Sequence, residues 1–135
     1  MNPFKFSIPL KVRVNDLNYG NHVGHQIYFS FFQEARAAYL DQFGFSELNI
    51  EGLGMIMAEA ACRYKQQLLL GDAIQVACAV VELKPKRFTM AYRIDRGDTV
   101  CAEGSTINLC YDYAAQKVAR LPEAFLRHIK AFEGL

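Results

Sequence analysis

The chain has 135 residues, is 52% hydrophobic and carries a formal net charge of +1. That length predicts one domain, residues 1–135, able to bury a real core. Near-neutral charge excludes a polyanion-binding face built on bulk charge, so nucleic acid is not an expected partner. No apolar run reaches the length of a membrane span and the N-terminus has no signal-peptide layout, which predicts no membrane association and a cytoplasmic protein. The four cysteines, Cys62, Cys78, Cys101 and Cys110, have no CxxC spacing. They read as buried free thiols rather than as a disulfide pair or a zinc set.

In chain order, residues 4–14 alternate strictly. Phe4, Phe6, Ile8, Leu10, Val12 and Val14 fall on one face, and Lys5, Ser7, Lys11, Arg13 and Asn15 on the other. This is the pattern of a half-buried strand. It delivers the chain into a polar turn holding Asp16, Asn18, Asn21, His22 and His25. Residues 26–43 then read as a helix of about five turns. Its apolar residues occupy more than one stripe, which predicts burial on most sides. Gly44 follows in the place of a left-handed cap residue.

The pattern then changes to period two. Residues 55–69 read as a strand, with Glu59 in its apolar half and Arg63, Tyr64 and Lys65 in its polar half. Gly71 and Asp72 make a turn, residues 73–84 a second strand, and Pro85 breaks it. Residues 88–94 alternate again, and Arg96, Gly97 and Asp98 signal a hairpin. Residues 100–113 form the last long strand, where Gly104 permits a bulge or a close approach. Residues 122–132 close the chain as a short amphipathic helix with Pro122 near its start. One helix followed by antiparallel strands is an α+β pattern.

The segment from Asp16 to Arg36 resembles the hotdog-fold acyl-CoA thioesterases of the 4-hydroxybenzoyl-CoA thioesterase type. Their pattern is an Asp-x-Asp turn, a Gly-His-Val stretch, a helix Tyr and a Glu-Ala-Arg helix end. Here Asp16 and Asn18 stand at the two acidic positions, His22 and Val23 at His-Val, Tyr28 at the helix Tyr, and Glu34, Ala35 and Arg36 at the helix end. The resemblance implies a long central helix wrapped by a curved antiparallel sheet of about five strands. It also implies hydrolysis of an acyl-CoA thioester without a metal or a cofactor, coenzyme A entering only as part of the substrate. Hotdog proteins commonly pair through their sheets, so a homodimer or homotetramer with sites at the interface is expected.

Thioester hydrolysis needs a group to activate water or attack the acyl carbon, and donors for the oxyanion. Helix N-terminal N–H groups near Val23, Gly24 and His25 are candidate donors, with Gly24 allowing close approach of a carbonyl. His25 is expected to line the thioester site, and His22 to bond within the turn while contacting substrate, as does Tyr28. Asn18 departs from the family pattern, because a carboxamide takes no proton at neutral pH. If the strand stays extended, Asp16 lies on the same face and supplies the carboxylate; the other reading is an Asx turn. Glu34 is a second candidate, or else an intrahelical partner of Arg36. Glu59 is a third, or else a residue facing solvent. For the phosphates of coenzyme A the candidate cations are Arg63, Lys86 and Arg87, with Lys65 and Lys84 near them. The rival function is a non-catalytic acyl or aromatic thioester-binding protein that kept the fold and lost the base.

Overall fold

The computed structural model describes residues 4–135. Its elements are β1 (Phe6–Lys11), a 3₁₀ turn (Val14–Asp16), α1 (Ile27–Asp41), β2 (Gly54–Tyr64), β3 (Ala73–Leu83), β4 (Arg87–Arg96), β5 (Thr99–Asp112), β6 (Lys117–Ala119) and α2 (Glu123–Glu133). All strand pairs are antiparallel, in the order β1-β3-β4-β5-β2, with β6 added to the end of β5. The α+β expectation holds, with six strands. The first strand is shorter than its alternation suggests. The chain leaves β1 at Lys11, because the Val12 N–H turns to the Asp72 carbonyl (2.9 Å), and then coils into the 3₁₀ turn.

Helix α1 is 15 residues long, not the five turns expected for residues 26–43, and it is not enclosed on all sides. Tyr28, Phe31, Phe32, Ala35, Arg36, Tyr39 and Leu40 are buried, a stripe at i, i+3, i+4 and i+7 spacing. Ser30, Gln33, Glu34 and Ala37 form an exposed strip opposite. One concave sheet face covers one helix face, and α2 covers part of the rest. Phe132 of α2 packs edge-on against Tyr39 and Phe43, and Phe125 against Phe88 at 4.9 Å.

Inward residues of the central strands make the core: Ile74, Val76, Cys78 and Val80 on β3, and Phe88, Met90, Tyr92 and Ile94 on β4. Helix α1 reaches the sheet most closely at Phe32, whose ring stacks on Tyr92 with centroids 4.6 Å apart. Gly104 permits this. A methyl group there would meet the Phe32 ring and lie 2.8 Å from the Ala61 carbonyl oxygen. The close approach anticipated at Gly104 is present; a bulge is not, since the register runs evenly from Tyr92 through Gly104 to Cys62.

A polar chain runs through this core. Arg36 Nη1 donates to the Tyr92 hydroxyl (3.0 Å), which pairs with Thr106 Oγ1 (2.7 Å), to which Asn108 Nδ2 donates (3.1 Å). Helix α2 is held at its far end, where Glu133 accepts from the Tyr39 hydroxyl and from the Val80 N–H (3.1 Å).

The cysteines are free, with Cys78, Cys101 and Cys110 buried and Cys62 half-buried. Burial pushes the Cys78 thiol up to about 12, helped by the Glu133 carboxylate, and Cys110 to about 11, from an ordinary value of 9.0. Burial also raises the Tyr28, Tyr39, Tyr64 and Tyr92 phenols. Above the unfolded thiol value the unfolded chain releases these protons first, so the native state holds more of them and loses stability as pH rises. Urea midpoints are therefore expected to fall steadily from about pH 9 toward pH 11. A flat profile over that range would contradict the burial of these groups.

Candidate active site

The loop between β1 and α1 is tied down before the helix begins. Asp16 is 5% exposed, and its carboxylate accepts the Arg13 N–H (2.8 Å), closing the 3₁₀ turn. The Asp16 carbonyl oxygen accepts the Gly24 N–H (3.1 Å). Asn18 Oδ1 accepts the Gly20 N–H (2.8 Å), and Asn21 takes a left-handed conformation (φ 63°), which asparagine tolerates. Leu17 bridges to Val23, and His22 to Leu69. The loop is thus stitched to residues 65–72, which Arg96 fixes by donating to the Gln67 carbonyl (2.9 Å) and Asp72 Oδ2 (3.0 Å).

Between these two loops lies a cleft of about 300 Å³ lined by Asn18, His22, Val23, His25, Tyr28, Tyr64, Lys65, Gln66 and Gln67. Six residues singled out from the sequence meet there: Asn18, His22, Val23, His25, Tyr28 and Lys65. Tyr64 closes the wall from β2. Its hydroxyl donates to the His25 carbonyl (2.8 Å), and its ring meets Tyr28 edge-on at 4.8 Å.

Donor geometry corrects one expectation. The Val23 N–H is taken by the Leu68 carbonyl (2.9 Å) and the Gly24 N–H by Asp16, so neither is available to an oxyanion. The Gly24 Cα is also covered, since a methyl group there would lie 2.8 Å from Gln26 Oε1. Among the described residues, no group accepts from the His25 or Gln26 N–H, and no side chain caps α1. These two N–H groups precede the first turn at the positive end of the helix.

The three carboxylates lie elsewhere. The extended path that was to aim Asp16 at the thioester is replaced by the 3₁₀ turn, and its carboxylate faces Arg13. Glu34 sits on the exposed strip of α1, and Arg36 bonds Tyr92 and Glu47 instead of Glu34. Glu59 pairs with Ile107 on the outer face of the sheet, away from α1. Arg63 pairs with Glu103 on the same outer face. Lys86 and Arg87 lie at the Leu83 end of β3, whereas the cleft lies at the Ala73 end. Eleven extended residues separate the two, or about 33 Å.

Sequence reasoning missed Tyr64, Gln66 and Gln67 as cleft residues. Strand β2 stops at Tyr64 because the Lys65 and Gln66 N–H groups share the Cys101 carbonyl (2.9 and 3.1 Å), which turns the chain across the cleft. Two adjacent carboxamides just before the Gly71-Asp72 turn were the available signal. Among the described residues no group of three or more His, Cys, Asp or Glu is placed to hold a metal ion. Nor is any helix long and apolar enough to cross a membrane.

A curved antiparallel sheet over one helix, with a cleft at that helix's N-terminus, defines the α+β class of this fold. The family model described as the thioesterase-like superfamily matches residues 12–129, and the chain belongs to that family. It is 28% identical over 129 residues to the acyl-CoA thioesterase YbgC of Haemophilus influenzae, covering 93% of this chain and 92% of that one. A Thermus thermophilus thioesterase crystallised with coenzyme A and zinc superposes with a TM-score of 0.89 at 25% identity, over 100% of this chain and 98% of that one. A gentisyl-coenzyme A thioesterase shares the fold (TM-score 0.81, 24% identity, 89% and 98% covered). The hotdog fold is therefore the fold of this chain, with a shorter helix than the resemblance implied.

The Tyr64 hydroxyl is the link between β2 and the helix entry. Tyr64→Phe is expected to cost little global stability, on the order of 0.5 kcal/mol, because the group is partly exposed. It should nevertheless speed hydrogen exchange of the Ile27 amide, which bonds Gly24 across the same turn. Unchanged exchange at Ile27 would show that the link bears no strain.

Proposed function

We propose that this protein is an acyl-CoA thioesterase that works without a metal or cofactor and hydrolyses its substrate in the Asn18–His25–Tyr64 cleft. The observation that carries the proposal is a cleft at the entry of α1 lined by two tyrosines, two histidines and three carboxamides, one of whose residues, His25, has a backbone N–H without an acceptor among the described residues. A thioester carbonyl oxygen accepting from this donor gains most as its charge develops. The Asn18 carboxamide and the Gln66–Gln67 pair are suited to orienting water and the acyl amide groups of a pantetheine arm. Asp16 acts in this reading through the loop it closes, and Glu34 and Glu59 reach substrate only from a second subunit. The YbgC relative, and the neighbour bound to coenzyme A, support an acyl-CoA substrate. An aromatic acyl group of the 4-hydroxybenzoyl type fits the Tyr28–Tyr64 corner.

Self-association is part of the proposal. Strand β2 pairs with β5, and past Met55, whose N–H bonds the Glu47 carbonyl (2.7 Å), its other edge is open among the described residues, with residues 57–61 all exposed and Met57 41% exposed. An open edge of this kind is a template for another strand. Antiparallel pairing of two β2 strands about a two-fold axis places the Gly54 end of one beside the Tyr64 end of the other. Arg87 pairs with Leu109, which pairs with Ile56, so Arg87 stands two strands, or about 10 Å, from that edge. The pairing carries the Lys84–Lys86 turn toward the neighbouring subunit's β2 end, where the phosphates of coenzyme A need cations, while Arg87 stays on the outer face with Leu109. A reducing, cytoplasmic setting suits the four free thiols.

Two measurements test this. A panel of aliphatic and aromatic acyl-CoA thioesters should show saturable release of coenzyme A with at least one member. Saturable binding with no release from any member would favour the non-catalytic binding protein instead. Light scattering at micromolar concentration should give a dimer or tetramer, and a monomer would remove the shared site.

A further inference from the structure

We infer that His22, acting through Nε2, is the general base of the hydrolysis, taking the role that a carboxylate at position 18 would otherwise fill. This rests on the thioesterase reading above. The inference begins from the composition of the cleft. Its titratable side chains are His22, His25, Tyr28, Tyr64 and Lys65, with no carboxylate among them. Burial raises both phenols, and a lysine ammonium is a donor only, so neither type accepts a proton near neutrality. The two imidazoles remain.

Geometry separates them. His22 is half-buried and bridged to Leu69, and its Nδ1 lies 3.3 Å from the Val23 carbonyl oxygen. A carbonyl oxygen can only accept, so this contact puts the ring proton on Nδ1 and leaves Nε2 with its lone pair. Nε2 converges with Asn18 Oδ1 over Gly20: a methyl group built on Gly20 would lie 3.2 Å from the first and 3.1 Å from the second. With Oδ1 engaged by the Gly20 N–H, Asn18 Nδ2 carries no partner among the described residues and is free to donate. By contrast His25 is exposed and its ring makes no hydrogen bond among the described residues, while its backbone carbonyl takes Tyr64. A tautomer fixed by a backbone carbonyl, an imidazole that lines the cleft, and a carboxamide beside its Nε2 form a base with a water-orienting partner.

The step balances without any added reactant. Nε2 takes a proton from water as the water oxygen bonds to the thioester carbon, and the carbonyl electrons move onto oxygen, facing the His25 and Gln26 N–H groups. When the oxyanion collapses, the carbon–sulfur bond breaks with its electron pair on sulfur. The imidazolium returns the proton to that thiolate, giving a carboxylic acid and free coenzyme A.

The test uses the full chain and the best acyl-CoA from the panel, with kcat and KM measured from about pH 5 to 9. His22→Asn keeps an amide donor where Nδ1 sits and removes Nε2, so the loop contact survives. Expected is a loss in kcat of about a hundredfold or more, with KM changed by less than about threefold. The acid limb of the wild-type profile should also disappear. His22→Gly should regain turnover with added imidazole, which a purely structural role would not allow. His22→Asn within tenfold of wild type with the limb intact overturns the inference. So does loss of the limb in His25→Asn, or loss of turnover in Glu34→Gln or Glu59→Gln with His22→Asn unaffected. In each of those results the thioesterase reading stands. If the wild-type protein releases no coenzyme A from any panel member, both readings fall together.

Discussion

The position of α1 depends on one contact, the Phe32 ring laid on Tyr92 over a residue with no side chain. Phe32 is fully buried, and such burial stabilises by roughly 1.5–3 kcal/mol. It requires that nothing larger than hydrogen stand at Gly104. That single close approach, near the middle of the fold, sets how deep the helix lies against the sheet. One turn further along α1, Arg36 then falls within reach of the Tyr92 hydroxyl. Toward its other end the helix entry comes level with the last residue of β2, where Tyr64 meets the His25 carbonyl. The cleft stands where it does because the helix cannot rise off the sheet without losing this stack.

The polar chain from Arg36 to Asn108 adds specificity to that packing. Buried polar groups cost free energy unless paired, and here the links join α1 to β4 and β4 to β5, with the last, Asn108 to Thr106, inside β5. A slip of one residue between β4 and β5 would turn Thr106 away from Tyr92 and break the chain. Arg36 Nε and Asn108 Oδ1 are buried without a protein partner. Each of those atoms bears a desolvation cost of about 1–3 kcal/mol if no water reaches it, so the chain is retained for register more than for net stability.

Much of the fold was legible in the sequence because local rules and tertiary packing agree there. The apolar run after the polar turn marks helix α1, though not its one-sided burial, and Gly97 supplies the positive φ (60°) that the two-residue β4–β5 connection uses. The site was harder, and β2 shows why. Its register against β5 shifts between Met57 and Glu59. Strict alternation from Met55 through Met57 puts Glu59 inward and Tyr64 outward. The bulge reverses that parity, so Ala60, Cys62 and Tyr64 face α1 and Glu59 and Arg63 face away. One extra residue thus moved a carboxylate out of contention and a tyrosine into the cleft, and no single-strand pattern reveals it. Asp16 was misplaced for a related reason. Its path is set by Val12 bonding Asp72, a partner 60 residues distant in sequence that alternation cannot show.

Tyr64 belongs both to the open edge strand and to the cleft wall. In the proposed assembly its backbone lies where another strand would add, and its hydroxyl holds the His25 carbonyl beside the proposed thioester site. Assembly and ligand binding therefore share a mechanical element. By thermodynamic reciprocity, a ligand that fixes the His25 peptide stiffens the end of β2 and favours pairing at that edge, and pairing there tightens the ligand by the same factor. Under the proposed assembly and activity, specific activity is not a constant of the chain but rises with concentration until the edge is filled.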